Sequence, residues 1–507
     1  MSGCESIHDV VVVGGGGSGL AAAIEAATLG RSVVVLEKAN QLGGSTGRSI
    51  GSISASATPH QIRKGIKDNP QDHFEDLGLF NARVGIEDNV VLRRILTDNV
   101  NETLRWLMSM GVTFFGPMPE PPHRKPRMHN VLPNSRAYIY HLSRRARKLG
   151  VDIRTDRRAT RFLRDGERVI GVECVTEAGG VERYSARGGV VLASGDYSAS
   201  PEFKEHFGDR RAAQIIPTNP YNTGDGHRMV LDIGGKVING EMLYVVIRFV
   251  APRLTWVHAL PPWRYFTKCM QLGLDHLPAW LLRPFIVSFL TTVLNVQKEL
   301  FESGGILINK HGERFAEERR KSVYDLAEQP DQTGFIILDQ RLMDKFSAWP
   351  NFVSTFPGIA YAYIPDYRRS RKDIFHEADT LAALAQKIGV DPAVLEETVR
   401  RRNAELDAEA ARSERDAPVP GKLEHGPFCA MGPVRSYVNL TDGGLAINER
   451  FQVLGADKRP IPGLFAAGSA GQGGLLLEGH GHHLGWAFTS GRFAGRNAAY
   501  LVNTPDI

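Results

Sequence analysis

Asp9–Thr46 reads DVVVVGGGGSGLAAAIEAATLGRSVVVLEKANQLGGST, and the order of its parts decides the fold. Asp9–Val13 is a β-branched run bounded by glycines, the pattern of a buried parallel strand. It feeds into Gly14, Gly16 and Gly19 at the spacing G-x-G-x-x-G. Gly14 permits the tight turn, Gly16 lets a backbone approach a diphosphate, and Gly19 lets the helix Ser18–Leu29 pack close to the strand. The N-terminus of that helix offers an anion its free N–H groups and the positive end of its dipole. Gly30 ends the helix, Ser32–Leu36 is the second strand, and Glu37 follows Gly19 by eighteen residues, where a carboxylate accepts from ribose hydroxyls. A glycine-rich turn alone is a weak signal. Strand, glycines, helix, second strand and acid in register indicate a dinucleotide-binding unit, the alternative being a plain βαβ turn.

Just past the acid, Gly43-Gly44-Ser45-Thr46 is a second glycine turn able to lay backbone donors against a flavin, which favours FAD over NAD. The candidate cofactor contacts in this stretch are Gly14, Gly16, Gly17, Ser18, Gly19, Glu37, Lys38, Gly44, Ser45 and Thr46.

The 507 residues, 42% of them hydrophobic, provide for two or three domains with ample core. A formal charge of +5, spread along the chain apart from clusters such as Arg144–Lys148, argues against a nucleic-acid partner. Cys4, Cys174, Cys269 and Cys429 lie far apart without a C-x-x-C. That spacing argues against a disulfide framework, an iron–sulfur cluster or a c-type haem, and fits a reducing cytoplasm. No export signal is visible at the N-terminus. Residues 277–294 are apolar apart from Arg283, but Pro278, Arg283 and Pro284 would each be costly in a bilayer. The segment reads as a buried helix or substrate lid, with a peripheral membrane contact as the alternative.

Downstream of Thr46 the chain looks helical and polar to about Met110, with apolar residues at helical spacing over Asn89–Met108. A proline-rich loop, Gly116–Pro126, precedes a helix over Ser135–Leu149. Val151–Thr155, Ala159–Arg164, Val169–Thr176 and Val181–Ala186 read as a β-meander, leading to a further buried strand from Gly189 to Gly195 that would rejoin the first sheet. Charged helices are expected at Thr380–Ile388 and Ala393–Ala411, and a last helix from His482 to Val502. The expected fold class is α/β with an α+β cap: a discontinuous Rossmann-like FAD-binding domain, residues 1–239 and 418–507, into which a substrate cap, 240–417, is inserted. Ala193, Gly195, Gly468, Ser469, His482, His483 and Leu484 are the cofactor candidates outside the first stretch.

The glycines with Glu37 and Gly43–Thr46, then Asn309–Glu317, Ala378-Asp-Thr-Leu, Thr441-Asp-Gly-Gly-Leu and Ile461–Gly468, together resemble the fumarate reductase/succinate dehydrogenase flavoprotein superfamily over nearly the whole chain. Within it the sequence looks closer to the 3-ketosteroid dehydrogenases and related desaturases of cyclic ketones. Its departures bear on the substrate. Fumarate reductases carry Asn-Arg-Leu-Gly-Gly-Asn before the final helix, whose arginine grips a substrate carboxylate. Aligning the second glycine of that run with Gly481 puts Glu478 at the arginine's position, where a carboxylate would repel an anion. The family's His-Pro after Thr-Gly-Asp-Gly, here Thr223–Gly226, is replaced within Tyr244–Pro252. Where succinate dehydrogenases attach FAD through a histidine, this chain reads Ser45–Ile50, so FAD should be held noncovalently.

These features imply an FAD-dependent oxidoreductase acting on a CH–CH bond beside a carbonyl, expected to dehydrogenate a small apolar cyclic ketone and pass electrons to an external acceptor. Reduction of an activated alkene, or service as an electron-transfer subunit, are the alternatives. The chemistry needs a base for the α-proton and donors for the carbonyl. By the resemblance the ketosteroid dehydrogenases' active-site tyrosine falls on Tyr324, whose plainer reading is a half-buried helix residue. Glu478 and His480 precede the final helix and could orient the substrate or act as base. Arg412 and Arg415 lie where the family's proton-donating arginine is found, Arg415 being the candidate and a solvated helix end the alternative. His480, His482 and His483 invite a metal, but a glycine-punctuated turn rarely makes ring nitrogens converge, and no metal is assigned.

Overall fold

The computed structural model describes residues 5–251, 259–278, 287, 291, 295–318, 322–356, 360–412 and 420–503. In it the opening stretch forms the strand Glu5–Val13 and the helix Gly17–Thr28. Val10–Val13 lie in parallel register between Val33–Leu36 and Gly189–Leu192. Covered on both faces, they are buried, which is why the run is continuously apolar instead of alternating. Asp152–Arg154 extends the parallel sheet beyond Val33–Leu36, and Pro460–Ala466 extends it beyond Val181–Leu192.

Two expected strands change place. The stretch from Val151 to Thr155 is not part of the meander. It follows the helix Arg136–Lys148, so it arrives as a crossover and joins a parallel neighbour, which a hairpin cannot do. The meander is Arg157–Asp165, Arg168–Thr176 and Val181–Leu192. Val181–Ala186 and Gly189–Leu192 are one strand that pairs in parallel with Glu5–Val13 along both halves, its other edge meeting the meander in the first half and Pro460–Ala466 in the second.

The second sheet is organised by Phe428–Thr441. It pairs with Leu243–Phe249, Gly334–Leu338 and Phe375–Ala378 in antiparallel register and with Ile216–Pro217 in parallel, and Ile306–Asn309 pairs with Gly334–Leu338. Ile306, Leu307, Ile336, Ile337, Met431 and Val434 are buried in its core. Ile216–Pro217 and Phe428–Thr441 flank residues 240–417 in sequence and share this sheet with strands from that stretch. The two sheets meet at Asp196, just past Val181–Leu192, whose carboxylate accepts from Asn222 Nδ2 at 2.7 Å and from the Thr441 N–H at 3.3 Å.

The stretch after Thr46, expected as helix and loop, also carries a small sheet of Ser52–Ser54, Thr113–Met118 and Met128–Leu132. These strands are too short, and too rich in serine, glycine and proline, for alternation to reveal them. The helix expected over Asn89–Met108 is Val90–Ser109, with the Asn89 side chain accepting from the Leu92 N–H. Of residues 277–294 only Leu277, Pro278, Val287 and Thr291 are described, so the choice between lid and membrane contact for that segment lies outside the described residues. Among the described residues no helix is long and apolar enough to cross a membrane.

Arg127 staples this small sheet to the helix Pro70–Asn81. It is fully buried, pairing with Asp68 at 2.7 Å and with Asp76. Removing one partner of a buried ion pair leaves uncompensated charge. Arg127→Met is therefore expected to lower unfolding stability by about 3–5 kcal/mol in urea titration, and an unchanged midpoint would show that the two aspartates find other partners.

Candidate active site

A cleft of about 620 Å³ opens at the carboxyl ends of Glu5–Val13 and Val33–Leu36. Its walls include Gly14, Gly16, Gly17, Ser18, Glu37, Lys38, Gly44, Ser45, Thr46, Ala193, Gly195, Ser469, His483 and Leu484. Three cofactor candidates stand outside the lining. Gly19 packs on the preceding turn, where a Cβ would come within 1.9 Å of the Gly14 carbonyl oxygen. Gly468 braces the last helix, donating to Ser490 Oγ at 2.9 Å and accepting from Trp486 Nε1 at 3.2 Å. His482 turns into the interior.

The lining fits FAD. A Cβ on Gly16 would meet no atom nearer than the Gly43 carbonyl oxygen at 3.9 Å, so the space beside the first helix's N-terminus is open to a diphosphate. Glu37 is buried, and burial raises its pKa although its oxygens accept from the N–H groups of Gly15 at 2.7 Å and Ala39 at 2.9 Å. A carboxylate has lone pairs left over for ribose hydroxyls. Lys38 is paired with Asp225 at 2.7 Å, tying the second strand to the helix Asp225–Leu231. Ser45 Oγ accepts from Asn222 at 2.9 Å and Asn219 at 3.1 Å, which anchors the second glycine turn. Gly16 to Ser18 would hold the diphosphate, Glu37 a ribose, and Gly44 to Thr46 with the N-terminus of His482–Tyr500 the flavin.

At the other end of the cleft stand Tyr244, Arg248, Glu478, His480 and His483. The Tyr244 hydroxyl lies within hydrogen-bond reach of two carboxylates, Glu478 Oε1 and Asp442 Oδ2, the latter at 3.2 Å. A hydroxyl donates one proton, so the contact with both acids places a second proton on one of them. The surroundings decide which. Burial raises the Glu478 pKa, opposed only by His483. Asp442 is paired with His483 Nε2 at 2.9 Å, and although burial works against it, that pairing raises the His483 pKa. Burial thus favours the protonated form of Glu478, which would let it share the Tyr244 hydroxyl with Asp442, and the Asp442 carboxylate favours the protonated form of His483. Arg248 donates through Nε to Asn295 Oδ1 at 2.8 Å, and burial pushes its pKa down to about 10, leaving it a cation at neutral pH.

The three histidines of the Gly479–Leu484 turn point apart. His480 is bound by the buried Glu120, which contacts its Nδ1 and accepts from its backbone N–H at 3.0 Å. His482 meets His73 and His123, with ring centroids 5.3 to 5.5 Å apart. The triangle resembles a metal site, but the hydrogen bond of His123 has the wrong polarity for a ligand. Arg127 donates to His123 Nδ1 at 2.9 Å, which leaves the ring proton on Nε2 and no free lone pair. His482 Nδ1 donates to the Glu478 carbonyl at 2.6 Å, and burial lowers its pKa to about 3. The buried ring thus positions the backbone of Glu478. Tyr324 does not line the cleft. It packs beside Ile215 and Val438 with the Arg211 guanidinium 5.0 Å from its ring centre. Arg415 lies outside the described residues.

Tyr244, Arg248 and Asp442 were not singled out from the sequence. The first two lie four apart on one strand, hence on one face, which is a signal the alternation contained. Asp442 sat within a motif used only to assign the family.

Residues 9–253 and 277–476 match the model of a family described as FAD binding domain. Over 514 residues the chain is 28% identical to the urocanate reductase of Eggerthella lenta, covering 97% of this chain and 75% of that protein. Over 522 residues it is 26% identical to the vinyl phenol reductase of Lactiplantibacillus plantarum, covering 99% and 98%. The open conformation of a flavocytochrome c3 fumarate reductase superposes with a TM-score of 0.74 at 24% identity, covering 99% of this chain and 80% of that one. The 3-ketosteroid Δ1-dehydrogenase of Sterolibacterium denitrificans, solved with 1,4-androstadiene-3,17-dione, does so with a TM-score of 0.65 at 19% identity, covering 98% and 100%.

Gly16→Val would place a branched side chain in the space left for the diphosphate. The expected product is a folded protein, by circular dichroism, that purifies without bound flavin. Normal flavin absorbance in that variant would remove the first helix's N-terminus as the anchor.

Proposed function

The chain belongs to the FAD binding domain family, with homologues in the fumarate reductase/succinate dehydrogenase superfamily, and is an FAD-dependent oxidoreductase; from that premise we propose that it reduces a carbon–carbon double bond conjugated to a single carbonyl or carboxyl group. The observation that carries the proposal is the place of Glu478 at the end of the Tyr244–Asp442–His483 chain, where burial raises its pKa and favours its protonated form. The relatives that span the chain are named as reductases of urocanate and vinyl phenol, which supports the same direction.

Bound and reduced, FAD supplies a hydride to the β-carbon of such an alkene. The chain must then deliver a proton to the α-carbon and hold the group that withdraws electrons. Glu478 is the proposed proton donor: burial keeps its proton on at a pH where an exposed carboxyl would have lost it. Tyr244 links it to Asp442 and His483, through which the proton can be restored. Arg248, cationic on the cleft wall, is proposed to receive the carbonyl or carboxylate oxygen as charge builds on it. With an acid in place of the arginine that grips a second carboxylate, fumarate should be a poor substrate. Dehydrogenation of a cyclic ketone, the direction expected from the sequence, would need Glu478 ionised as a base, and its raised pKa favours the acid. Residues 240–417, which carry Tyr244 and Arg248, are proposed to act as the substrate cap, and an external redox partner supplies the electrons. No histidine lies in Ser45–Ile50, so attachment of FAD is read as noncovalent.

With a chemical reductant as electron source, aryl or acyl acrylates and enones should reoxidise the flavin anaerobically while fumarate does not. Glu478→Gln should lower kcat by about 10²-fold or more, in the range of a general acid, with Tyr244→Phe also impaired and Tyr324→Phe silent. The wild-type rate should fall as pH rises through the Glu478 pKa, and this fall should vanish in Glu478→Gln. Fumarate turnover, or an unchanged pH profile in Glu478→Gln, would sink the assignment. Flavin should appear in the supernatant after the protein is denatured and precipitated; flavin retained in the pellet would show covalent attachment.

A further inference from the structure

A second cavity, of about 720 Å³, lies apart from the cleft. Arg144, Arg145 and Lys148 from the helix Arg136–Lys148, with Arg264 from the helix Arg264–His276, line it beside Trp106 and Tyr140. Among the described residues its lining contains no aspartate or glutamate. Basic residues in the last turn of Arg136–Lys148 answer that helix's dipole. Arg264 has no such explanation. It opens its helix, where a cation is opposed by the dipole, and the first turn holds no acid. Positive charge is thus gathered here against local preference.

The Arg264–His276 helix is also poorly covered. Thr267 is its only buried residue. Arg264, Tyr265, Lys268 and Leu272 lie on its exposed face. Tyr265 is 85% exposed, Leu272 59%, and the adjoining Trp263 and Leu277 61% and 46%. A face that combines lysine and arginine with exposed tryptophan, tyrosine and leucine matches the interface of a bilayer, where aromatic rings sit among headgroups and basic side chains neutralise lipid phosphates.

We propose that this face docks the protein on an anionic lipid bilayer, with Trp263, Tyr265, Leu272 and Leu277 entering the headgroup region and Arg144, Arg145, Lys148 and Arg264 engaging lipid phosphates. The surface is separate from the flavin cleft and independent of the reaction proposed there.

The test is cosedimentation of the flavin-loaded protein with vesicles of phosphatidylcholine and phosphatidylglycerol, and with phosphatidylcholine alone. Binding to the anionic vesicles, weakened by salt, is expected. It should fall at least about tenfold in Tyr265→Ser/Leu272→Ser and, separately, in Arg144→Gln/Arg145→Gln/Arg264→Gln, with flavin content unchanged in both. Absence of wild-type binding, or wild-type binding retained by either variant, would overturn the proposal. Saturable quenching of tryptophan fluorescence by inorganic phosphate or ATP, without vesicle binding, would also overturn it and assign the cavity to a soluble anion.

Discussion

Backbone-to-backbone contact around the first helix sets the rest of the molecule. A Cβ on Gly19 would fall 1.9 Å from the Gly14 carbonyl oxygen, and one on Gly491 would fall 2.3 Å from the Ser18 carbonyl oxygen. The first helix is therefore pressed onto its strand, and the last helix onto the first. Arg492 secures the second contact through a buried pair with Glu25 at 2.8 Å. As a result Ser18, in the first turn of one helix, and His483 and Leu484, at the start of the other, line the same cleft. Helix starts concentrate unpaired N–H groups and positive potential, which suits a diphosphate at the first.

The same geometry makes the far end of the cleft electrostatically uneven. His483 lies in the first turn of its helix, where a cation is disfavoured, yet the pairing with Asp442 raises its pKa. Having committed its charge to His483, Asp442 leaves Glu478 without a cation of its own. Two carboxyl groups joined by one tyrosine hydroxyl thus stand in different surroundings, Asp442 paired with a histidine and Glu478 half-buried, where desolvation raises its pKa. Such separation is how two similar groups come to take different roles. The proposed direction of the reaction rests on this difference: surroundings that favour the protonated form of an acid suit it to give a proton to carbon.

The cofactor half was legible because its signal is local. The turn, the close-packed helix and the acid all lie within Asp9–Thr46, at spacings dictated by backbone geometry. The substrate half was not, because it is made of long-range meetings: Glu478 contacts a tyrosine 234 positions earlier, and His480 a glutamate 360 positions earlier. The identities of Glu478 and His480 could be read, since they precede a helix start, but their partners could not. His482 and His483 illustrate the limit from the other side. Neighbours on a helix point about 100° apart, so one could face the cleft only if the other turned away, and the interior histidines His73 and His123 decided which. Tyr324 was placed through a resemblance alone, and the structure sets it beside Val438, on the strand next to the one that carries Tyr244.

The division of labour between the sheets follows. The parallel sheet supplies the ends at which the cofactor residues sit, whereas Tyr244 and Arg248 come from Leu243–Phe249, and Asp442 from the residue after its neighbour Phe428–Thr441. Thr441 is tied to Asp196, and Asp196 to Asn222, which also holds Ser45 in the second glycine turn. The joint between the sheets is thus a set of buried and half-buried hydrogen bonds running from the residue beside Asp442 to the second glycine turn. Coupling of this kind would fix the distance between a bound cofactor and the groups proposed to meet the substrate. The cleft-facing side chains of one strand, at positions 244 and 248, could differ between relatives without disturbing the residues proposed to anchor the cofactor. Relatives of the same fold named for such different alkenes are what that arrangement permits.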